Sequence, residues 1–210
     1  MILDKYEMVF WDFDGVIKES VSVKTDAFEE LFKPYGDIVR KKVKNHHIEN
    51  AGMSRFNKIP LYLKWSGKEP TTLKVDEMCS QFSEIVKNKV ISSDWVPGVE
   101  PFLKKNKDKF KFIIVSATPQ DELVDICQSL NIDNYFLKIF GSPISKSNAI
   151  KASMIENSIS PQKCLMIGDA RADIHAAKEN NINFIFRRHQ FNQNLNIDPS
   201  CLVIHDFNNK

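Results

Sequence analysis

Short runs of consecutive apolar residues recur along the chain at 8–11, 112–115, 165–167, 184–186 and 202–204. Runs of this length without polar alternation predict strands covered on both faces. Between the later runs, apolar positions return at helical spacing over 119–130, where Leu123, Ile126 and Leu130 are in phase, and again over 147–155 and 171–180. Strands alternating with helices predict an α/β fold, a Rossmann-like parallel sheet with right-handed crossovers covering both faces. Ligands bind such sheets where loops leave the carboxyl ends of the strands.

The stretch between the first two runs has helical periodicity and no convincing strand. Val23, Ala27, Phe28 and Leu31 suit a helix ending before Pro34 and Gly36, with Asp37 as a cap for the next helix and Ser54 for a third. Val75, Met78, Cys79, Phe82, Ile85 and Val86 recur at helical spacing beyond a start at Thr71 and Thr72. Residues 17–92 are therefore expected to form a helical unit inserted after the first strand, with 1–16 and 93–210 forming the α/β core. Pro97 and Gly98 mark the return to it.

Composition narrows the class only a little. With 210 residues, 42% hydrophobic and 27% charged, the chain is long enough for one substantial core plus an insertion. Lys and Arg number 29 against 27 Asp and Glu, so no global charge draws the chain to nucleic acid or membrane. Cys79, Cys127, Cys164 and Cys201 are far apart, which predicts reduced, buried thiols and neither a zinc site nor a disulfide framework. With neither a leader-like segment nor a run of transmembrane length, the expectation is a cytoplasmic protein.

The candidate chemistry lies at the ends of the apolar runs. The first continues into Asp12-Phe13-Asp14-Gly15, so period-two alternation puts both carboxylates on one side, and Gly15 lets the chain leave the strand. Two carboxylates converging at a strand end suit a divalent metal and a nucleophile. The plainer reading is a turn bearing solvated acids. The second run ends in Ser116-Ala117-Thr118-Pro119, where Ser116 and the backbone N–H groups after it suit phosphate oxygens, or Ser116 simply caps a helix. The loop Gly141-Ser142-Pro143-Ile144-Ser145 delivers Lys146 at a helix start, a placement that calls for compensating anions unless the lysine is solvated. The run at 165–167 passes into Gly168-Asp169 and, four residues on, Asp173 on the same face; capping explains Asp169 alone but not both acids.

Together, D-x-D-G, the strand-ending Ser116, Lys146 and G-D-x-x-x-D resemble the signature of the haloacid dehalogenase superfamily, over the whole chain. The helical insertion resembles the C1 cap of its phosphoglycolate phosphatase and β-phosphoglucomutase branch. The resemblance implies that Asp12 is the nucleophile, forming an aspartyl-phosphate, and that Asp14 is general acid and then base. It implies that Ser116, Ala117 and Lys146 hold the phosphoryl group. Mg²⁺ would be bound by Asp12, the carbonyl of Asp14 and Asp169, with Asp173 supporting Lys146 or a metal-bound water. An acid–base Asp14 should have a pKa above that of Asp12. An aspartate at this second position favours phosphoryl transfer over dehalogenation, and an all-oxygen ligand set suits Mg²⁺.

Gly52-Met53-Ser54-Arg55 resembles a substrate-recognition loop of that branch, making Arg55 the leading specificity candidate, against a solvated arginine in a helix's first turn. Lys24 takes the place of a cap histidine of the mutases, and Lys18 and Glu19 replace a Thr-Asp pair, which counts against a mutase. The basic segment Arg40, Lys41, Lys42, Lys44, His46 and His47 reads as a solvated helix face or a lure for anionic substrates. Arg187, Arg188 and His189 follow a strand directly and fall at the sheet's ligand-binding edge. The expected function is Mg²⁺-dependent hydrolysis of a small phosphomonoester, a sugar phosphate or phosphorylated organic acid. The alternatives are a phosphosugar mutase and a non-catalytic binding protein on the same fold. Neither a nucleic-acid nor a membrane partner is expected.

Overall fold

A computed structural model describes residues 3–208. Its centre is a six-stranded sheet in which every pairing is parallel: β1 (Met8–Trp11), β2 (Lys111–Pro119), β3 (Lys138–Ser142), β4 (Cys164–Gly168), β5 (Asn183–Arg187) and β6 (Leu202–Ile204). The spatial order is β3-β2-β1-β4-β5-β6, so the chain reverses direction across the sheet at β1 and β4, where the two halves diverge. Alternate strand residues serve opposite faces. Val9, Trp11, Phe112, Ile114, Leu165 and Ile167 join one core cluster, and Met8, Phe10, Ile113, Val115, Cys164 and Met166 join the other.

The first face is covered by α5 (Val99–Asn106) and α6 (Gln120–Ser129) through Phe102, Leu103, Leu123 and Ile126. The second is covered by α7 (Lys146–Asn157) and α8 (Arg171–Glu179) through Ile150 and the small side chains of Ala149, Ala176 and Ala177. The strand β3 differs from expectation, because it runs into Gly141 and Ser142, where the sequence predicts a loop, and its first residues carry no strand prediction. Its apolar core is only Ile139 and Phe140, both half-buried at the sheet edge, and polar or glycine residues flank them.

Between β1 and the return to the core, the described residues hold four α-helices, one short 3-10 turn at Lys33–Tyr35 and no strand: α1 (Val21–Phe32), α2 (Asp37–Glu49), α3 (Arg55–Trp65) and α4 (Thr72–Ser92). Ser54 caps α3 with its hydroxyl, as anticipated, and Thr71, expected only near the start of α4, caps that helix in the same way. Asp37, expected as a cap, is instead the first residue of α2, and Gly36 with φ 91° takes the cap position. Aromatic contacts bind this unit together: Phe28 packs on Phe82 at 4.2 Å between ring centroids and stands edge-on to Tyr62.

Two segments tie this unit to the core, and they pair with each other. Val96 N–H donates to Ile17 O and Glu19 N–H to Asp94 O, with Lys18 bridged to Trp95. The Lys18 ammonium is buried beneath the Trp95 ring and donates to Ile91 O. Cys79, Cys127 and Cys164 are buried thiols, whereas Cys201 is half-buried.

Candidate active site

The loops at the carboxyl ends of β1, β2 and β4, with the start of α7, meet the helical insertion around a cavity. Asp12, Asp14, Ser116, Ala117, Lys146 and Asp169 line it from the core, and Lys24, His47, Arg55 and Lys58 from the insertion. Asp12 and Asp14 reach it by a route other than strand alternation. The strand stops at Trp11, and a tight turn in which Ile17 and Lys18 N–H donate to Phe13 O carries Asp14 round. Gly15 permits the turn in two ways: its φ is 76°, and a Cβ there would collide with the carboxylate of Asp169. Gly168 is equally constrained, since a Cβ would strike the side chain of Asp173.

Lys146 stands at the centre of the charge arrangement. It is buried, with Nζ 2.8 Å from Asp12 Oδ1 and 2.6 Å from Asp173 Oδ1, so the solvated-lysine reading is excluded. Burial opposes its charge, but the two carboxylates outweigh that and raise its pKa. Asp173 also accepts at Oδ2 from the N–H groups of Asp169 (3.1 Å) and Ala170 (3.0 Å). Asp173 therefore supplies the cap that sequence reasoning gave to Asp169. Ser116 does not cap a helix either: β2 continues to Pro119, and the buried Ser116 hydroxyl donates to Thr118 Oγ1 and accepts from Thr118 N–H.

Asp12, Asp169 and Asp173 are all buried, and each offers an oxygen within 4.8 Å of the others. Burial, then the charge of Asp173, pushes Asp169 up to about 8, and the same two causes raise Asp12 well above the ordinary carboxylate value. Crowded, dry carboxylates with this appetite for positive charge fit a hard divalent cation, and their all-oxygen chemistry fits Mg²⁺. Asp14 stands apart from this cluster. Its carboxylate accepts from Ser20 Oγ at 2.6 Å, from Lys24 Nζ and from Thr118 Oγ1. Burial raises Asp14, but the charge and hydrogen bond of Lys24 prevail and hold it below its ordinary value. The expected order of Asp14 above Asp12 is thus reversed, because Lys24 reaches across from α1.

Arg55 is not solvated, and although it lines the cavity its guanidinium is committed to a carboxylate of the core. Its guanidinium grips Glu122 of α6 in a bidentate pair (2.9 and 2.6 Å), donates to Ser83 Oγ and lies over the Phe82 ring. Lys41 and Lys42 of the basic segment are exposed, as a solvated face requires, whereas His47 is buried against Phe28 and His46 bonds Tyr62. Arg187 pairs with Glu19 and donates to Gly15 O, bracing the turn after β1. Arg188 donates to the carbonyls of Asn192 and Leu195.

His189, which the sequence places beside Arg187 and Arg188 without a role, lies 2.7 Å from Asp169 Oδ2 through Nε2. Phe191 N–H donates to Nδ1, so Nε2 carries the proton and donates to Asp169. Burial, then Arg187, pushes this imidazole down to about 4, which keeps it neutral. Asn192 adds a bond from its side-chain amide to Asp169 O.

The sequence profile of the haloacid dehalogenase-like hydrolases matches residues 9–186, a span holding all four acidic, hydroxyl and lysine elements of this cavity. The chain belongs to the haloacid dehalogenase-like hydrolases. Among relatives of this hydrolase, a phosphorylated carbohydrates phosphatase of Thermotoga maritima is 22% identical, over 86% of this chain and 84% of its own. A phosphoglycolate phosphatase of Nitrosococcus oceani is 23% identical, over 95% and 91%. The crystal structure of β-phosphoglucomutase from Clostridium difficile shares the fold, with a TM-score of 0.75 at 20% identity over 97% of this chain and 92% of the other.

Proposed function

We propose that this hydrolase is a phosphatase that moves the phosphoryl group of a small phosphomonoester onto Asp12 and then to water. The observation that carries this reading is the buried Asp12–Lys146–Asp173 row, which sets a carboxylate oxygen beside an ammonium fixed from its far side. A carboxylate approaches a charged phosphoryl group only if cations neutralise it. Lys146 is one such cation, and bound Mg²⁺ would supply more positive charge to the phosphoryl oxygens. Asp12 and Asp169 are the residues we assign to hold it, while Asp173, with both oxygens engaged by Lys146 and backbone amides, positions the lysine.

In the first step an Asp12 oxygen bonds to phosphorus as the ester P–O bond breaks, and the departing oxygen takes a proton. In the second, water attacks phosphorus, the bond to Asp12 breaks, and phosphate leaves. Asp14 is assigned to give and then take these protons. Its pair with Lys24 holds it ionised, so that contact must open before Asp14 acts as an acid. Ser116 and the Ala117 and Thr118 backbone are assigned to the phosphoryl oxygens. Arg55 fastens the recognition loop to α6, and residues 17–92 act as the cap closing over the site.

Phosphate release from a panel of phosphorylated sugars, organic acids and nucleotides tests the reading. Release is expected with Mg²⁺, and loss is expected with EDTA or in Asp12→Asn. A transient bisphosphate in place of free phosphate would indicate a mutase, and neither product from folded protein would overturn catalysis.

A further inference from the structure

Four cationic side chains line the cavity, and three are already matched by carboxylates: Lys146 by Asp12 and Asp173, Lys24 by Asp14, and Arg55 by Glu122. Lys58 of α3 is the exception, as it makes no ion pair among the described residues. It is 1% exposed, and its ammonium donates to His47 Nδ1 at 2.8 Å and, at a long 3.4 Å, to Ala51 O, with the Phe28 ring 5.6 Å away. Because an ammonium only donates, His47 accepts at Nδ1 and carries its own proton on Nε2. That N–H is buried and finds no acceptor among the described residues.

The cap thus brings to the cavity a buried ammonium without a counter-ion and a buried N–H without a partner. Each omission is costly: an unpaired buried charge is among the most expensive features a fold retains, and an orphaned donor adds to it. Burial, then the charge of Lys24, disfavours the charged form of Lys58, and burial, then Lys58, disfavours protonation of His47; the ammonium lacks the carboxylates that sustain Lys146. The same burial makes an arriving anion unusually welcome, since it would supply the missing charge in a setting poor in water.

Resting on the phosphatase reading, we propose that Lys58, with His47 behind it, is an anion subsite of the cap, and that the substrate carries a second anionic group besides its phosphate ester. The core residues Asp12, Ser116 and Lys146 face one end of the substrate and Lys58 the other, so a carboxylate or a second phosphate on a small phosphorylated compound meets this ammonium. A phosphate ester with an uncharged tail leaves Lys58 unpaired and is discriminated against.

Two pairs of compounds test this: 2-phosphoglycolate against 2-hydroxyethyl phosphate, and glucose 1,6-bisphosphate against glucose 6-phosphate. The wild type should favour the doubly anionic member of at least one pair by roughly 10- to 100-fold in kcat/KM, expressed in KM, as expected for one charge-assisted hydrogen bond. The pair showing the preference tells carboxylate from phosphate. Lys58→Met should collapse that ratio towards one, and Lys58→Arg should keep most of it. The absence of preference in both pairs, or a ratio that survives Lys58→Met while overall activity falls, would overturn the subsite. If no compound is hydrolysed, calorimetric binding of the same four compounds to the wild type with Mg²⁺ decides separately from turnover. A charge preference lost in Lys58→Met supports the subsite, and equal affinities overturn it.

Discussion

Single residues carry most of the chemistry here through what holds them from behind. Lys146 stays charged in a dry site because Asp173 and Asp12 both face it, and Asp173 is aimed by two backbone amides. His189 does the same for Asp169, donating to one oxygen of a carboxylate that lies within reach of Asp12 and Asp173. Partners that orient metal-binding side chains are typically worth about 10- to 100-fold in metal affinity. His189→Ala should therefore weaken Mn²⁺ binding by about that factor in a calorimetric titration of the protein without substrate. Unchanged affinity would show that Asp169 is placed by the backbone alone. His189 was legible only as a residue near the right edge of the sheet, because nothing in its sequence neighbourhood states that the loop after β5 folds back on β4. Asp12 and Asp169 could be picked out because costly charges stood at the ends of apolar runs, Asp173 because it lies four residues beyond Asp169, and Lys146 because a Gly/Pro loop delivers it at a helix start.

Among elements, the decisive contact is between cap and core. Gly52 lies so close to Ala172 at the start of α8 that a Cβ would crowd it, and Ser54 Oγ meets Ser142 Oγ at 3.1 Å. Arg55 and Ser83 reach Glu122, and the exposed Lys87 reaches Asp125 on the same helix. Of these, the Arg55–Glu122 pair is buried on both sides, so removing one partner strands a charge. Arg55→Leu should lower stability by about 3–5 kcal/mol, whereas Arg55→Leu with Glu122→Leu should recover most of that loss. Urea unfolding of the two variants checks it; equal losses would mean the pair contributes no coupling. Arg55 was singled out in the sequence for its loop, yet its partner lies 67 positions away, a separation that periodicity cannot bridge. The same limit hid β3, whose two apolar residues at a sheet edge make too short a signal.

At the scale of the molecule, the alternation of apolar runs and helical stretches was enough to foresee a parallel sheet with a helical insertion after its first strand. The strand order then brings the ends of β1, β2 and β4 together, so three distant sequence segments share one cavity with the cap above them. What the alternation could not show was how the cap meets that cavity. Lys24 lies on Asp14, Lys58 bonds His47 with no carboxylate beside it among the described residues, and Arg55 is held by Glu122 of α6. The claim underlying all of this is that Asp12 takes the phosphoryl group. The most direct measurement is to quench the protein during turnover of its best phosphomonoester, reduce with borohydride and map the modified residue by peptide mass spectrometry. Conversion of Asp12 to homoserine is the result expected of an aspartyl-phosphate. Unmodified Asp12 in a protein that is releasing phosphate would contradict the account and leave water to attack the ester directly.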